Sequence, residues 1–252
     1  MIQMKNTHRR NLQLPILIAT GLILSGCAIR KDLNSRAPVP VIGQSNSQAK
    51  PGDCNYQAVP GCKVYCAQNA KGQYPVTNIL GDTGTNSDGS SWAEGGGCIL
   101  RPIREVWAAL NSYAAMKVIA AKSYSVDHPR LSLGPTITNF YEITNHYSEL
   151  GGLINFHETM RWFHGLFSGT FENPNAVEIV FERTNGGAQV SIWNGYITLA
   201  KINDSTTSLF IHTNMRTLES EDDILHAEAY GVEMLSKART LPPDWDNLNN
   251  HK

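Results

Sequence analysis

Long apolar runs are scarce in this sequence: the longest, Leu14-Pro-Ile-Leu-Ile-Ala-Thr-Gly-Leu-Ile-Leu24, is shorter than the roughly 20 residues a spanning helix needs. Positive charge is not in excess either. The 252 residues carry 21 Lys and Arg against 22 Asp and Glu, a formal net charge of −1, so the basic patch that a nucleic-acid or anionic-lipid surface requires is missing. There is no Gly-x-Ser-x-Gly elbow, no P-loop and no Rossmann fingerprint, which removes the serine-hydrolase and nucleotide-binding classes that depend on them. His146, His157, His164 and His212 do not form a His-x-His or His-x3-His pair with an acid at ligand spacing. No metal and no cofactor is therefore expected.

What is present begins at the N-terminus. Lys5, Arg9 and Arg10 precede the apolar run, and Ser25-Gly26-Cys27 follows it. A basic start, an uncharged apolar stretch and small residues ahead of a cut are the layout of a signal peptide, here residues 1–26. Leu24-Ser25-Gly26-Cys27 resembles the lipobox of bacterial lipoproteins, which implies cleavage before Cys27 and a diacylglyceryl group on its thiol. Acyl chains contribute about 0.8 kcal/mol per buried methylene, and the several chains that the resemblance implies anchor durably where one does not. Ala28, not Asp, follows Cys27; among such lipoproteins this implies the outer membrane, on its periplasmic face. Cleavage removes Lys5, Arg9 and Arg10 and no acid, so anchoring would rest on lipid alone. An uncleaved anchor helix and a chance cysteine in an ordinary signal are the competing readings; the short run weighs against the first and the complete box against the second.

Residues 27–50 are Ser, Asn, Gln and Pro with almost no large apolar side chains, a composition that reads as a disordered tether. Residues 51–91 read as a loop-rich segment that holds Cys54, Cys62 and Cys66, with Gly81–Ser91 rich in Gly, Asp, Ser, Thr and Asn; Cys98 follows. Four cysteines in an exported chain predict two disulfides, with three pairings open. Zinc on Cys62-x3-Cys66 is the alternative, and an oxidising compartment disfavours it.

The folded domain is expected over residues 92–239. Pro102 followed by Ile103, Val106, Trp107 and Leu110 at helical spacing predicts a short helix, and Tyr113–Ala121 a second. The stretch from Lys122 to Val126 is strand-like. Five longer β stretches follow, at about 136–147, 153–164, 176–183, 188–202 and 206–217, separated by turn signals such as Gly151-Gly152 and Asn203-Asp204-Ser205. Such short links force antiparallel pairing, a meander. From 219 to 237 Ile224, Ala227, Gly231, Met234, Leu235 and Ala238 share one face of a helix. Pro242-Pro243 ends it, and residues 240–252 read as a flexible tail.

Cys98-Ile-Leu-Arg-Pro-Ile-Arg-Glu-Val-Trp-Ala-Ala-Leu110, Trp193-Asn-Gly-Tyr-Ile-Thr-Leu199 and the final helix resemble the START-like (SRPBCC, polyketide cyclase-like) superfamily. The resemblance implies an α+β helix-grip: a curved antiparallel sheet wrapped around a long C-terminal helix, with two short helices near the domain start and a cavity for an apolar molecule. Independently, a one-layer sheet must cover its apolar face, and the last helix is the only long amphipathic one available.

Alternation on the 153–164 strand turns Ile154, Phe156, Glu158, Met160 and Trp162 inward and Asn155, His157, Thr159 and Arg161 outward. Glu158 is a carboxylate among apolar neighbours, able to orient a ligand's polar end; a site near the mouth or a local salt bridge is its plainer role. Trp193 and Met215 join Phe156, Met160 and Trp162 as candidate pocket walls, against plain packing. Three functions follow: a lipoprotein that binds or carries a hydrophobic small molecule or lipid in the envelope; a cyclase- or hydratase-type enzyme with Glu158 as its catalytic base; and a structural envelope protein without ligand. The first leads because only one acid–base candidate is found. No protein partner is specified by the sequence.

Overall fold

The computed structural model describes residues 66–118, 121–129, 137–149, 154–186, 190–217 and 222–249. Cys27, Cys54 and Cys62 lie outside them, as do the expected signal and tether. Among these residues eight antiparallel strands form one curved, unclosed sheet: β1 Ile79–Thr85, β2 Ser91–Ile99, β3 Ser123–Asp127, β4 Ile137–Glu149, β5 Ile154–Gly169, β6 Pro174–Asn185, β7 Val190–Asn203 and β8 Thr206–Thr217. The order is β1-β2-β8-β7-β6-β5-β4-β3. The meander β3 to β8 is the one the turn signals predict, and β2 closes against the free side of β8. Register breaks within β5–β6 pairing, at Thr159/Met160 and Leu166/Ser168, are bulges of the kind that bend a strand.

One row of paired residues fixes the inner face: Tyr141, Trp162, Phe181, Gly195, Thr213 and Ala93 stand opposite one another on β4, β5, β6, β7, β8 and β2. Residues two positions along each strand face the same way. The C-terminal helix α3, Asp223–Thr240, lies on this face and buries Ala227, Tyr230, Gly231, Met234, Leu235 and Ala238. This is the helix-grip arrangement. α3 sits mainly over β2 and β8, where glycine permits a close approach: a Cβ on Gly97 would lie 2.6 Å from the Thr77 carbonyl oxygen and 2.8 Å from Arg239 Nη2. Helix α1, Ile103–Leu110, adds Val106, Trp107 and Leu110 to the same core.

Four details depart from the sequence reading. The second short helix, α2, is one turn, Tyr113–Met116. Beyond it the chain is drawn off by tertiary bonds: Val118 N–H donates to Asn145 Oδ1 and the Lys117 carbonyl accepts from Lys237 Nζ. The segment read as loop-rich contributes the edge strand β1, held by backbone pairing to β2 and not by apolar alternation. The tail read as flexible forms α4, Trp245–Asn249, because Leu248 is buried in the core and Asn247 Nδ2 donates to the Asn111 carbonyl. Finally, Arg161 faces outward as expected but is not free in solvent; it bridges Glu142 and Glu182 at 3.0 and 3.1 Å. Arg161→Ala is therefore expected to lower stability by breaking both ion pairs.

Of the four cysteines, Cys66 and Cys98 form a disulfide with a sequence separation of 32. A closed loop of that length is worth about 3–4 kcal/mol through the unfolded chain. Iodoacetamide should label neither thiol in the folded, unreduced protein, and Cys66→Ser should lower stability by about that amount in urea. Labelling of both thiols without reductant would refute the bridge.

Candidate functional site

The strand ends Glu149 and Ile154, which pair with each other, and Val190 and Thr217, which also pair, lie at one end of the sheet. The inner face at this end is where the sequence-selected residues fall. Met160 and Trp162, on β5, are each 1% exposed and belong to the main core cluster on the inner face. A side chain lining open space would show accessible surface, so these two are packed against protein. Trp193 and Met215 pair across β7 and β8, and with Tyr230 of α3 they keep slight exposure, 8%, 6% and 8%. Ring contacts run from Trp162 to Phe181 at 5.2 Å, Phe181 to Tyr230 at 5.4 Å and Tyr230 to Trp193 at 5.1 Å. The strands and helix thus hold an aromatic wall.

This wall contains polar atoms with no obvious structural use. Trp162 Nε1, Trp193 Nε1 and Thr213 Oγ1 are buried and have no hydrogen-bond partner among the described residues. Thr213 shares the cross-strand row of Trp162, and Trp193 is two residues from Gly195 in that row.

Next to the wall lies a charged group. Glu158, 7% exposed, accepts from Arg183 Nε at 2.8 Å and from the Tyr147 hydroxyl at 3.2 Å. The Tyr147 ring in turn stacks on Phe156 at 4.6 Å. Burial raises the Glu158 pKa above its usual value, and the Arg183 guanidinium opposes the rise without cancelling it. Burial, with Glu158 close by, also pushes the Tyr147 phenol up, and burial raises Tyr230 strongly. The site therefore keeps both phenols protonated near neutrality. Phe156 is only half-buried; with Tyr147, His146, His157 and Lys122 it borders a shallow open groove.

The structure thus brings Glu158, Met160, Trp162, Trp193 and Met215 to one face and leaves Phe156 at the rim. The plain salt bridge weighed for Glu158 is present. Sequence reading missed Arg183, Tyr147 and Tyr230. Arg183 was legible: Val177, Ile179 and Phe181 alternate inward, and Arg183 continues that set. Tyr147 and Tyr230 carry no such mark, because their place depends on β4 pairing with β5 and on how α3 is rotated.

No protein-family model matches the chain, and no curated protein matches it. Among solved structures, it is similar to the ZhuI aromatase/cyclase from Streptomyces at 15% identity, over 58% of this chain and 90% of that one, with a TM-score of 0.40. It is similar to human STARD10 at 8% identity, over 59% and 63%, with a TM-score of 0.41. A START superfamily protein from Mycobacterium smegmatis gives 8% identity, over 60% and 94%, and a TM-score of 0.36. Likeness at this level transfers no activity. The helix-grip architecture stands on the strand order and on the packing of α3.

Proposed function

We propose that this chain is an exported lipoprotein, anchored through Cys27, whose START-like domain holds an apolar small molecule or lipid against the aromatic wall between the sheet and α3. The observation that carries the binding reading is the set of buried donors, Trp162 Nε1, Trp193 Nε1 and Thr213 Oγ1, unpartnered among the described residues within an aromatic wall. Leaving a buried donor unmet costs about 1–3 kcal/mol. A ligand with one acceptor oxygen on a hydrocarbon body would meet such donors while its apolar part covers the rings. Trp193, Met215 and Tyr230, which retain some exposure, are the side chains that would part to admit it.

Native mass spectrometry of the purified mature domain tests this reading. The expected result is a second mass that leaves on denaturation and is reduced in Trp193→Ala. A bare apo mass, with no thermal shift on adding a fatty acid, would favour the structural envelope protein. The enzyme reading, with Glu158 as general base, draws support from the raised Glu158 pKa. It stands second because both carboxylate oxygens are engaged, by Arg183 and by Tyr147.

The anchoring half of the proposal rests on the lipobox and has its own test. Cys27→Ser should abolish incorporation of labelled palmitate and leave the precursor uncut, and the wild-type protein should fractionate with the outer membrane. Wild-type protein that takes up no label would end it.

A further inference from the structure

The charges beside the aromatic wall form two closed pairs. Glu158 of β5 meets Arg183 of β6 at 2.8 Å, and Glu233 of α3 meets Lys237, one turn further along the same helix, at 2.5 Å. All four side chains are largely buried. Tyr230, Glu233 and Lys237 follow one another at helical spacing, so the second pair shares a side of α3 with the Tyr230 ring. The two pairs also lie close to each other, since the charges of Glu158 and Glu233 both bear on the Tyr147 and Tyr230 phenols. Lys237 is held further by donating to the Lys117 carbonyl at 3.2 Å.

Each cation of this cluster is thus engaged by its own carboxylate. An anionic ligand brought against the wall would approach Glu158 and Glu233 and find Arg183 and Lys237 already neutralised. Burying a charge without a counter-ion is strongly unfavourable.

The unmet polar atoms carry a sign as well. Trp162 Nε1 and Trp193 Nε1 can only donate, and Thr213 Oγ1 is able to. A fourth donor stands at the charged end of the wall. Asn145 of β4 is opposite Glu158 in the strand pairing and is fully buried. Its Oδ1 accepts from Val118 N–H, which fixes the orientation of the amide and leaves Nδ2 without a partner among the described residues. What these atoms lack is an acceptor, and an ammonium group would bring only more donors. On the reading that this wall holds a ligand, we infer that the ligand is uncharged and presents carbonyl oxygen to the buried donors: an ester, a ketone or a quinone on an apolar body, in preference to a free carboxylate or an amine.

Isothermal titration of the purified mature chain at neutral pH with methyl octanoate, octanoate and octylamine tests this, because the three share a hydrocarbon body and differ in charge. The ester should bind at least about tenfold more tightly than either ion. A smaller preference, or tighter binding of either ion, overturns the inference and leaves the ligand site standing. Binding by none of the three overturns the inference too, and a bare apo mass beside it overturns the site itself. Glu233→Gln is the second arm. It removes the counter-charge of Lys237, so the preference for ester over octanoate should fall by about tenfold. A preference that survives in this variant, with a native near-ultraviolet dichroism spectrum, would show that the ion pairs do not set it and would overturn the inference equally.

Discussion

Replacement of Trp162 by alanine is expected to destabilise the domain by about 3–5 kcal/mol, the range for emptying a fully packed aromatic site. The indole is 1% exposed, packs on Phe181 at 5.2 Å and stands in the row between Tyr141 and Phe181. Neighbours on the flanking strands β4 and β6 cannot close the void, because each is fixed by its own ladder. A urea titration should show a lower midpoint with little change in slope. Trp162→Phe separates packing from hydrogen bonding. It keeps most of the ring volume and removes Nε1, a donor without a partner among the described residues, so it should cost well under half as much. A loss below about 1 kcal/mol for Trp162→Ala would mean that the ring faces open space, contrary to its place in the core.

That place was legible because β5 obeys a two-residue period: Glu158, Met160 and Trp162 go one way, Thr159 and Arg161 the other. The final helix was legible for the same kind of reason. Ala227, Gly231, Met234, Leu235 and Ala238 repeat at helical spacing and are buried, whereas Ile224, one residue into the helix, is only half-buried. Elements whose stability comes from distant partners were not legible. β1 has no apolar alternation and exists by pairing with β2; α4 exists because Leu248 reaches the core and Asn247 reaches Asn111. Pro242-Pro243 marks where α3 stops and says nothing about what the chain does next. The candidate site shows the same division. Its apolar wall follows from alternation, but the bond that defines its charged end joins Glu158 to Arg183 across two strands, and the offset between them includes a bulge. A bulge shifts register by one residue, and no local pattern announces it.

The Glu158–Arg183 bond gives the second large effect. Arg183→Ala should cost about 3–5 kcal/mol at neutral pH, because it leaves a carboxylate buried without its counter-ion, and the loss should shrink as the solution is acidified. The sign follows from linkage. Burial already holds the folded pKa of Glu158 above the unfolded value, and Arg183 is the main influence lowering it; removing Arg183 raises it further. A carboxyl whose folded pKa is raised contributes stability fully below its unfolded pKa and loses that contribution as pH rises through the window up to the folded pKa. The variant should therefore be weakest at neutral pH and recover toward wild type once Glu158 is protonated, below about pH 4. Glu182 is also raised by burial and adds a slope of the same sign to both proteins, so the difference between them is the quantity to read. The double variant Glu158→Gln/Arg183→Met has neither charge and should lose the extra pH dependence, regaining much of the stability at neutral pH, as buried pairs replaced together often do. A difference between wild type and Arg183→Ala that stays constant between about pH 4 and about pH 7 would show that Arg183 contributes by packing alone, and that Glu158 does not depend on its charge.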